Sequence, residues 1–393
     1  MKVSNDERRN SYEKYRKWLF RMDPERAHGL GLTAGRIGQR VAPAGIRNAF
    51  AFDDPMLEQW VWRTRITSPI GFAAGFDKNA MVIELAELIG CGYTEVGSVT
   101  ARRSRGNPRP RAFRLPADEA VINRMGLNNH GARRIAARIK RRGDGIPLGV
   151  NIAKTHDPRI MGDDAVADFV ASFKRLAPLA DYITLNVSCP NTREGKTFEE
   201  PESFEKLISA ISSERAALKK DVPVLVKLSP PVTDRVVFDS DTEAIVELSR
   251  HFGIDGFVAC NTASDRSGLT TPEDELQAIG AGGLSGPPVE ERTNQLIRYL
   301  YERTEGSMVI IGVGGIRDGE SAYRKIRAGA SLLQVYTALI YEGPGVIQRI
   351  KQELVDRLKA DGFNRIVDAV GADVTSGEPR FGNAAVSRPA RLS

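Results

Sequence analysis

The chain has few of the residues that build disulfide frameworks and metal sites. It contains three cysteines and four histidines among 393 residues, and these have neither the CxxC spacing nor the Cys/His spacing of a metal site. Three thiols do not make a disulfide framework, so we expect a reducing compartment. We also expect no bound metal.

Long apolar runs are missing as well. A transmembrane helix would need roughly 18 or more consecutive apolar residues, and the sequence contains no such run. The amino-terminal stretch "MKVSNDERRN" is charged and has no apolar core behind it, unlike a cleaved secretion signal. We therefore expect a chain that is neither secreted through a cleaved signal nor membrane-spanning.

The composition is that of an ordinary globular enzyme. With 41% hydrophobic and 27% charged residues, the chain is large enough for one α/β domain with an appendage. Its net charge of +6 leaves nucleic acid or an anionic membrane surface open as partners. Much of the positive charge lies in residues 8–21, 102–105 and 138–142, a distribution that solvated helix faces and loops explain equally well.

Short, nearly continuous apolar runs alternate along the chain with segments of helical periodicity. The runs are "SPIGFAAGF", "YTEVGSVT", "IPLGVNIA", "DYITLNVS", "PVLVKLS", "DGFVACN", "MVIIGVGG" and "SLLQVYT". They predict strands buried on both faces, as in a parallel sheet, whereas "EAIVELSRHF" and "SAYRKIRAGA" have the apolar spacing of amphipathic helices. Eight such repeats, with no GxGxxG fingerprint opening a helix, favour a closed (β/α)₈ TIM barrel over an open sheet.

Amides, hydroxyls, glycines and lysines follow the predicted strands, where barrels place their chemistry. Carboxylate pairs and histidines are scarce there, which argues against a glycosidase carboxylate pair and a Ser-His-Asp triad. Such a mouth suits an organic cofactor, with amides for a ring edge and a lysine against developing negative charge. The turns "GVGGIRDG" and "YTALIYEGPG" suit a phosphate, although tight turns also need glycine.

A series of motifs then carries a family resemblance. They are "AAGFDKNA", "GNPRPRAFRL", "INRMGLNNHGA", "GVNIAKT", "NVSCPNT", "VLVKLSP", "CNTASDRSGLTT", "GGLSGPP", "VGGI" and "ASLLQVYT". From about Ile70 to Gly345 they resemble, in order, the motifs of the dihydroorotate dehydrogenase family, and "MDPERAH" resembles the leader of its class 2, quinone-linked branch. The resemblance implies an FMN-dependent barrel that oxidises dihydroorotate to orotate in pyrimidine biosynthesis, with a quinone as electron acceptor.

The resemblance also implies site residues, position by position. The FMN-binding positions match Lys78, Ser98, Asn151, Lys227, Gly286, Gly315, Tyr336 and Thr337. The substrate-binding positions match Asn123, Leu127, Asn186, Asn191, Asn261 and Thr262. The quinone-binding positions match His28, Arg114 and Tyr336. Cys189, in "SCPNT", stands at the position of the base, although free cysteines are more often small buried hydrophobes.

Several residues depart from the family pattern. Class 2 relatives generally have serine where this chain has Cys189, and a thiol with a pKa near 8.5 is the better base at neutral pH. The lid reads "PNTREGKTF", and Leu127 replaces an aromatic residue in "MGLNN". These changes leave open a paralogue, an FMN-dependent dehydrogenase or oxidase acting on a different cyclic amide or an amino-acid-derived substrate.

We expect three parts: a helical extension over residues 1–65, the FMN-binding barrel over 66–365, and a polar, disordered tail over 366–393. In "SYEKYRKWLF" an apolar stripe lies among basic residues, which fits either peripheral contact with the cytoplasmic side of a membrane or packing on the barrel. Asp23 and Pro24 indicate the N-cap and first turn of the next helix.

Two other functions fit less well. A dihydrouridine synthase is also a flavin barrel with a Cys-Pro in an active loop, but it would need a basic RNA-binding domain, and the polar tail does not resemble one. A non-enzymatic binding barrel gives no reason for lysines, amides and a cysteine to converge. We therefore expect no nucleic-acid partner, and the sequence leaves the oligomeric state open.

Overall fold

The structure is a computed structural model that describes residues 5–188, 197–231 and 240–374. Its strands are β1 (Gln59–Val61), β2 (Thr64–Ile66), β3 (Ile70–Phe72), β4 (Tyr93–Val99), β5 (Ala112–Leu115), β6 (Ala120–Asn123), β7 (Leu148–Ile152), β8 (Tyr182–Asn186), β9 (Val224–Leu228), β10 (Gly256–Ala259), β11 (Gly283–Ser285), β12 (Val309–Val313) and β13 (Leu332–Val335). Its helices are α1 (Asn5–Leu19), α2 (Pro24–Val41), α3 (Pro43–Phe50), α4 (Ile83–Leu88), α5 (Ala132–Ile139), α6 (Gly162–Leu176), α7 (Pro201–Ala216), α8 (Ser240–His251), α9 (Glu273–Ile279), α10 (Glu290–Arg303), α11 (Gly319–Arg327), α12 (Thr337–Glu342) and α13 (Gly345–Ala360).

Eight parallel strands close into a barrel in the order β3, β4, β7, β8, β9, β10, β12 and β13. Each of these strands lies within one of the eight apolar runs, so the predicted TIM barrel is confirmed. Most strand residues are buried because one face points into the barrel and the other is covered by helices. The main core lies between the strands and helices, where Phe169, Phe173 and Phe204 are fully buried.

A short antiparallel hairpin, β1–β2, closes the amino-terminal end of the barrel. Val61 and Ile66 pack against the inward-facing Tyr93, Tyr182 and Leu332. The sequence did not predict this hairpin, because its strands have only three residues each and its turn lacks the Asn-Gly or Asp-Gly signal. The hairpin gives the barrel a closed floor.

At the other end of the barrel, a separate antiparallel sheet of β5, β6 and β11 stands beside the mouth. It carries Arg114 on β5 and Asn123 at the end of β6. Tyr341 on α12 donates from its hydroxyl to the Ala120 carbonyl oxygen, 2.8 Å away. The sheet is thereby tied to the helix that follows the last barrel strand.

The amino-terminal helices lie against the barrel. Tyr12 on α1 donates to the Ile340 carbonyl oxygen at 2.8 Å, and Asp23 caps α2 by accepting from the Arg26 N–H at 2.9 Å, as the sequence predicted. Close packing on α4 explains why Gly35 of α2 is a glycine, because a Cβ there would come within 2.5 Å of the Leu85 side chain. Within the described part of the chain, no helix is long and apolar enough to cross a membrane.

The folded domain continues beyond residue 365, where we expected the tail to begin. Ile366–Ala369 forms a short 3₁₀ helix, and Ile366 and Ala369 are fully buried in the main core. A few apolar residues among charged ones gave too weak a periodic signal for the sequence to predict this packing. Residues 375–393 of the expected tail lie outside the described residues.

Candidate active site

One cavity of about 530 Å³ joins the carboxyl ends of the barrel strands to the space beneath the amino-terminal helices. Its volume is in the usual range for small-molecule sites, roughly 300–1,000 Å³. The predicted site residues that line it are His28, Lys78, Ser98, Arg114, Asn123, Leu127, Asn186, Lys227, Asn261, Thr262, Gly286, Gly315, Tyr336 and Thr337. Asn151 is fully buried and does not line the cavity, and Cys189 and Asn191 lie outside the described residues.

An amide network occupies the ends of β8 and β10. Asn186 donates from Nδ2 to the Ser98 hydroxyl at 2.8 Å. Asn261 donates from Nδ2 to Asn186 Oδ1 at 3.2 Å and to the Ser188 carbonyl oxygen at 3.0 Å. The Thr262 hydroxyl oxygen is buried without a hydrogen-bond partner among the described residues. The network fixes the amides and presents a spare polar group for a ligand.

Two lysines reach the same cavity. Lys227 lies on β9 in register with Asn186 of β8 and is buried. Lys78 follows β3 and donates from Nζ to the Gly75 carbonyl oxygen at 2.7 Å. Burial lowers the pKa of Lys78 to about 8, although the nearby Glu25 carboxylate opposes this shift. An ammonium group with so low a pKa titrates near physiological pH.

Glu95 is a buried carboxylate inside the barrel that the sequence analysis missed. It accepts hydrogen bonds at 3.0 Å from Asn151 Nδ2 and from the Tyr182 and Thr184 hydroxyls, and at 2.9 Å from Gln334 Nε2. Because a carboxylate only accepts from these amides, their nitrogen ends are held toward Glu95. Asn151 Oδ1 and Gln334 Oε1 are buried without partners among the described residues.

Glycines shape the part of the cavity near the ends of β11 and β12. Gly286 and Gly315 have φ angles of +110° and +76°, a conformation that favours glycine. A Cβ on Gly315 would come within 2.4 Å of Glu290 Cβ, and a Cβ on Gly286 within 2.9 Å of the Glu119 carbonyl oxygen. Both turns therefore pack tightly on neighbouring backbone and side chains, which explains why glycine occupies these two positions. Thr337 stands beside these turns and donates to the Ser285 hydroxyl at 3.0 Å.

The far end of the cavity is apolar, with Leu19, Phe20, Leu32, Ile46 and Phe50 among its lining residues. These side chains come from all three amino-terminal helices. The polar barrel mouth and this apolar channel form one continuous space.

His28 lies between the polar and apolar parts of the cavity. Its Nε2 is 2.9 Å from the Phe76 carbonyl oxygen, which requires a proton on Nε2 and leaves Nδ1 as an acceptor. Burial, reinforced by the positive charge of Lys78, lowers the pKa of His28 to about 3. The imidazole is therefore neutral at physiological pH. Its ring lies nearly parallel to that of Tyr336, with centroids 6.3 Å apart.

Arg114 holds the turn between α1 and α2. Its Nη1 donates to the Leu19 carbonyl oxygen at 3.0 Å and its Nη2 to the Met22 carbonyl oxygen. The guanidinium lies 4.5 Å from the centre of the Phe20 ring. The sequence predicted Arg114 beside a quinone; the structure shows its guanidinium hydrogen-bonded to the backbone at this turn.

A second missed carboxylate, Glu25, ties α2 to the barrel. Glu25 Oε1 accepts from Nη2 of Arg111 at 2.7 Å and of Arg109 at 2.9 Å, and Oε2 accepts from Nε of both at 3.0 Å. Bidentate pairs of this kind are strong and geometrically specific. Burial opposes ionisation, but the hydrogen bonds from Arg111 and Arg109 outweigh it and lower the pKa of Glu25 to about 2.

No group of three or more His, Cys, Asp and Glu side chains is placed to hold a metal ion within residues 5–188, 197–231 and 240–374.

Comparison with known proteins gives a consistent match. A family model described as dihydroorotate dehydrogenase matches residues 56–358.

Two curated relatives are named dihydroorotate dehydrogenase (quinone). The protein of Rhodococcus opacus (strain B4) is 44% identical over 356 residues, which cover 90% of this chain and 97% of the relative. The protein of Nocardia farcinica (strain IFM 10152) is 42% identical over 364 residues, which cover 92% of this chain and 97% of the relative.

Two solved structures are similar in fold, both of dihydroorotate dehydrogenase from Eimeria tenella. The complex with ferulenol has a TM-score of 0.78 and 33% identity, covering 89% of this chain and 96% of that one. The ligand-free structure has a TM-score of 0.80 and 32% identity, and the match covers 90% of this chain and 100% of that one.

Proposed function

The chain belongs to the dihydroorotate dehydrogenase family of oxidoreductases, which act on a CH–CH donor, and we propose that it oxidises dihydroorotate to orotate in pyrimidine biosynthesis with bound FMN and a quinone acceptor. The observation that carries this proposal is the single cavity with two chemically different ends. A polar mouth suits a charged, hydrogen-bonding substrate, and an apolar channel suits a quinone.

The residues at the barrel mouth fit an FMN molecule. The unpartnered Gln334 Oε1 in the cavity lining would be an acceptor for the ring system, and the buried Lys227 would supply a cation that favours negative charge on the ring. Asn151 is buried outside this lining with Oδ1 unpartnered in the described part of the chain, and we propose that it is a further acceptor. Gly286 and Gly315 line the cavity, and glycine-rich turns offer backbone N–H groups to a phosphate, so we propose that the ribityl phosphate lies beside them. Lys78, Ser98, Tyr336 and Thr337 complete the proposed set of contacts. FMN supplies the acceptor for a hydride.

The substrate is proposed to bind among Asn123, Asn186, Asn191, Asn261 and Thr262. Amides donate and accept without adding charge, which suits a ring with imide and carboxylate oxygens. The hydrogen bonds from Asn261 to Asn186 and Ser188 fix two of these positions before a substrate arrives, so less ordering is needed on binding. Leu127 lines the same cavity.

Cys189 is proposed to remove the proton while the hydride leaves for the cofactor. The residue lies outside the described segments, but it directly follows Ser188, which is buried and bonded to Asn261. A thiol has an ordinary pKa near 8.5, which allows general-base catalysis close to neutral pH.

The quinone is proposed to bind in the apolar channel near His28, Arg114 and Tyr336. His28 offers Nδ1 as an acceptor, since its Nε2 proton is committed to the Phe76 carbonyl oxygen. The Tyr336 hydroxyl is a donor, because burial raises its pKa to about 12 and keeps it protonated. A quinol hydroxyl that donates to His28 and a quinone carbonyl that accepts from Tyr336 would both be satisfied.

We propose peripheral contact with the cytoplasmic side of a membrane, and the outer surface of the amino-terminal helices supports the membrane contact. Trp18 on α1 is 55% exposed, and Ile37 and Val41 on α2 are 56% and 74% exposed. Lys17 and Arg40 are exposed on the same two helices. Apolar side chains bordered by basic ones are typical of helices that lie in the interface of an anionic membrane, and the entrance for a membrane-soluble quinone would then face the lipid.

A steady-state assay tests the proposed function. Purified protein should reduce a soluble quinone analogue in the presence of L-dihydroorotate, with loss of activity when FMN is removed and recovery when FMN returns. No turnover with dihydroorotate by the FMN-loaded protein, together with turnover of another cyclic amide, would contradict the proposed substrate and favour the paralogue that Leu127 and the altered lid suggest.

A further inference from the structure

The glycine turn after β12 leads directly into an arginine that lies at the edge of the cavity. β12 ends at Val313, and Gly314, Gly315, Ile316 and Arg317 all line the cavity. Arg317 immediately follows the "VGGI" motif, within the glycine-rich turn "GVGGIRDG", and is not among the positions that the family resemblance assigns to FMN. It therefore brings a positive charge to the part of the cavity where the glycines leave the backbone bare.

A buried carboxylate holds this guanidinium. Arg317 Nη1 donates to Glu290 Oε2 at 3.0 Å, and the Glu290 side chain is 9% exposed. Glu290 begins α10 directly behind Gly315, since a Cβ on Gly315 would come within 2.4 Å of Glu290 Cβ. The ion pair fixes where the arginine stands relative to the turn.

The guanidinium keeps donors for another partner. The Arg317 side chain is 38% exposed, and its Nη2 has no hydrogen-bond partner within the described part of the chain. The Asp318 carboxylate is 3.7 Å from Nε, beyond hydrogen-bond distance. Because Arg presents its N–H groups in a planar fork that matches phosphate oxygens, the remaining donors suit an anion in the glycine turn.

We propose that Arg317 is a cofactor-binding residue that pairs with the phosphate group of FMN, with Glu290 as its positioning residue. This inference rests on the proposed function, which places the ribityl phosphate at Gly286 and Gly315. Arg317 then distinguishes FMN from riboflavin, which has the same ring system and no phosphate.

Arg324 provides a matched control. It pairs with the other oxygen of the same carboxylate, Glu290 Oε1, at 2.6 Å, yet it does not line the cavity. If Arg317 acts only through its ion pair with Glu290, replacing either arginine should have a similar effect. If Arg317 contacts the phosphate, only its own replacement should separate the two flavins.

The test is a titration of the full-length protein, freed of flavin, with FMN or with riboflavin, followed by quenching of flavin fluorescence. Arg317→Ala should weaken FMN binding about tenfold to hundredfold, as expected for losing a charge-assisted hydrogen bond, and should leave riboflavin binding within about twofold. Arg317→Lys should recover part of the FMN affinity. Arg324→Ala should leave both affinities unchanged, and added salt should reduce the preference of the unaltered protein for FMN.

Equal effects of Arg317→Ala on both flavins, or no effect on either, would overturn the inference while leaving the proposed function intact. Failure of the unaltered, folded protein to bind FMN would instead overturn the proposed cofactor and this inference with it. Thermal unfolding of each flavin-free variant checks that a loss of binding does not come from a loss of folding.

Discussion

Inside the barrel, Asn151 on β7 donates from Nδ2 to the Glu95 carboxylate on β4 at 3.0 Å. Gln334 on β13 donates to the same carboxylate at 2.9 Å. Glu95 therefore determines which end of each amide is left for the cofactor. The proposed FMN contacts depend on a residue that does not line the cavity itself.

Glu95→Gln is expected to weaken both the fold and FMN binding. A glutamine at this position has one acceptor oxygen, so at least one of the four donors that now reach Glu95 would lose its partner. An unpaired buried donor costs about 1–3 kcal/mol, measurable in urea unfolding, and FMN titration should show a parallel loss. Glu58→Gln, which alters an exposed pair with Arg65, should change neither quantity appreciably.

A change in FMN affinity without any change in stability would contradict the hydrogen-bond account of Glu95. No change in either quantity would show that the carboxylate does not orient the amides.

The Glu25 ion pair predicts acid sensitivity. The pKa of Glu25 in the fold, about 2, is below its ordinary value of 4.5, so the pair contributes its full stability above pH 4.5. That contribution is lost as the pH falls from 4.5 toward 2. Over this range, the midpoint of thermal unfolding should fall more steeply for the unaltered protein than for Glu25→Gln. Glu202→Gln, which alters an exposed pair with Lys206, is the control and should keep the steep profile.

Because the pKa of Lys78 is lowered, we expect FMN to bind more weakly at alkaline pH. Its pKa of about 8 means that the charge is present at pH 7 and disappears as the pH rises through 8. FMN affinity should decline across this interval in the unaltered protein, and Lys78→Met should bind FMN more weakly at pH 7 with no such decline. A direct binding measurement avoids the titration of Cys189, which affects catalysis in the same range. Identical pH profiles for the two proteins would contradict this role of Lys78.

Cys189 predicts a particular pH dependence of flavin reduction. Cys189→Ala should slow reduction by dihydroorotate about 10²–10⁴-fold, the usual contribution of general-base catalysis. Cys189→Ser should shift the rise in rate to higher pH, because a hydroxyl loses its proton less readily than a thiol. Stopped-flow absorbance measures both. Cys91, which is buried and whose pKa burial raises to about 12, provides a control, since Cys91→Ala should keep the original pH profile.

If the quinone binds in the apolar channel, substitutions there should affect reoxidation by a quinone and not reduction by dihydroorotate. His28→Ala and Arg114→Ala should slow reoxidation of the reduced protein by a quinone analogue about tenfold or more, and leave reduction by dihydroorotate within about twofold. Thr33→Ala, on the exposed side of α2, should affect neither step. Reoxidation rates that stay unchanged in both variants would exclude these residues from the quinone site.

The barrel was predictable because each strand has a recognisable local pattern, a nearly continuous apolar run. Continuous apolar runs such as "VLVKL" of β9 need only the chain around them to be recognised as buried strands. The clustering of amides and lysines at the strand ends was predictable as well, since a closed parallel barrel brings those ends together.

Glu95 was not predictable, because its meaning depends on distant residues. It is one carboxylate within the run "YTEVGSV", and the residues that satisfy it lie on β7, β8 and β13. Likewise, Glu25 and Arg111 are 86 residues apart, and neither has a neighbour in sequence that indicates the pair. Polar contacts between strands and between the extension and the barrel have no local periodicity, so they become visible only in the fold.

We propose that the protein oxidises dihydroorotate in this cavity with bound FMN. The most direct test of this claim is anaerobic mixing of the purified yellow protein with L-dihydroorotate while the flavin absorbance is recorded. We predict rapid bleaching of the flavin band and formation of orotate, with the colour restored when a quinone analogue is added. A flavin that stays oxidised in the presence of saturating dihydroorotate would contradict the claim.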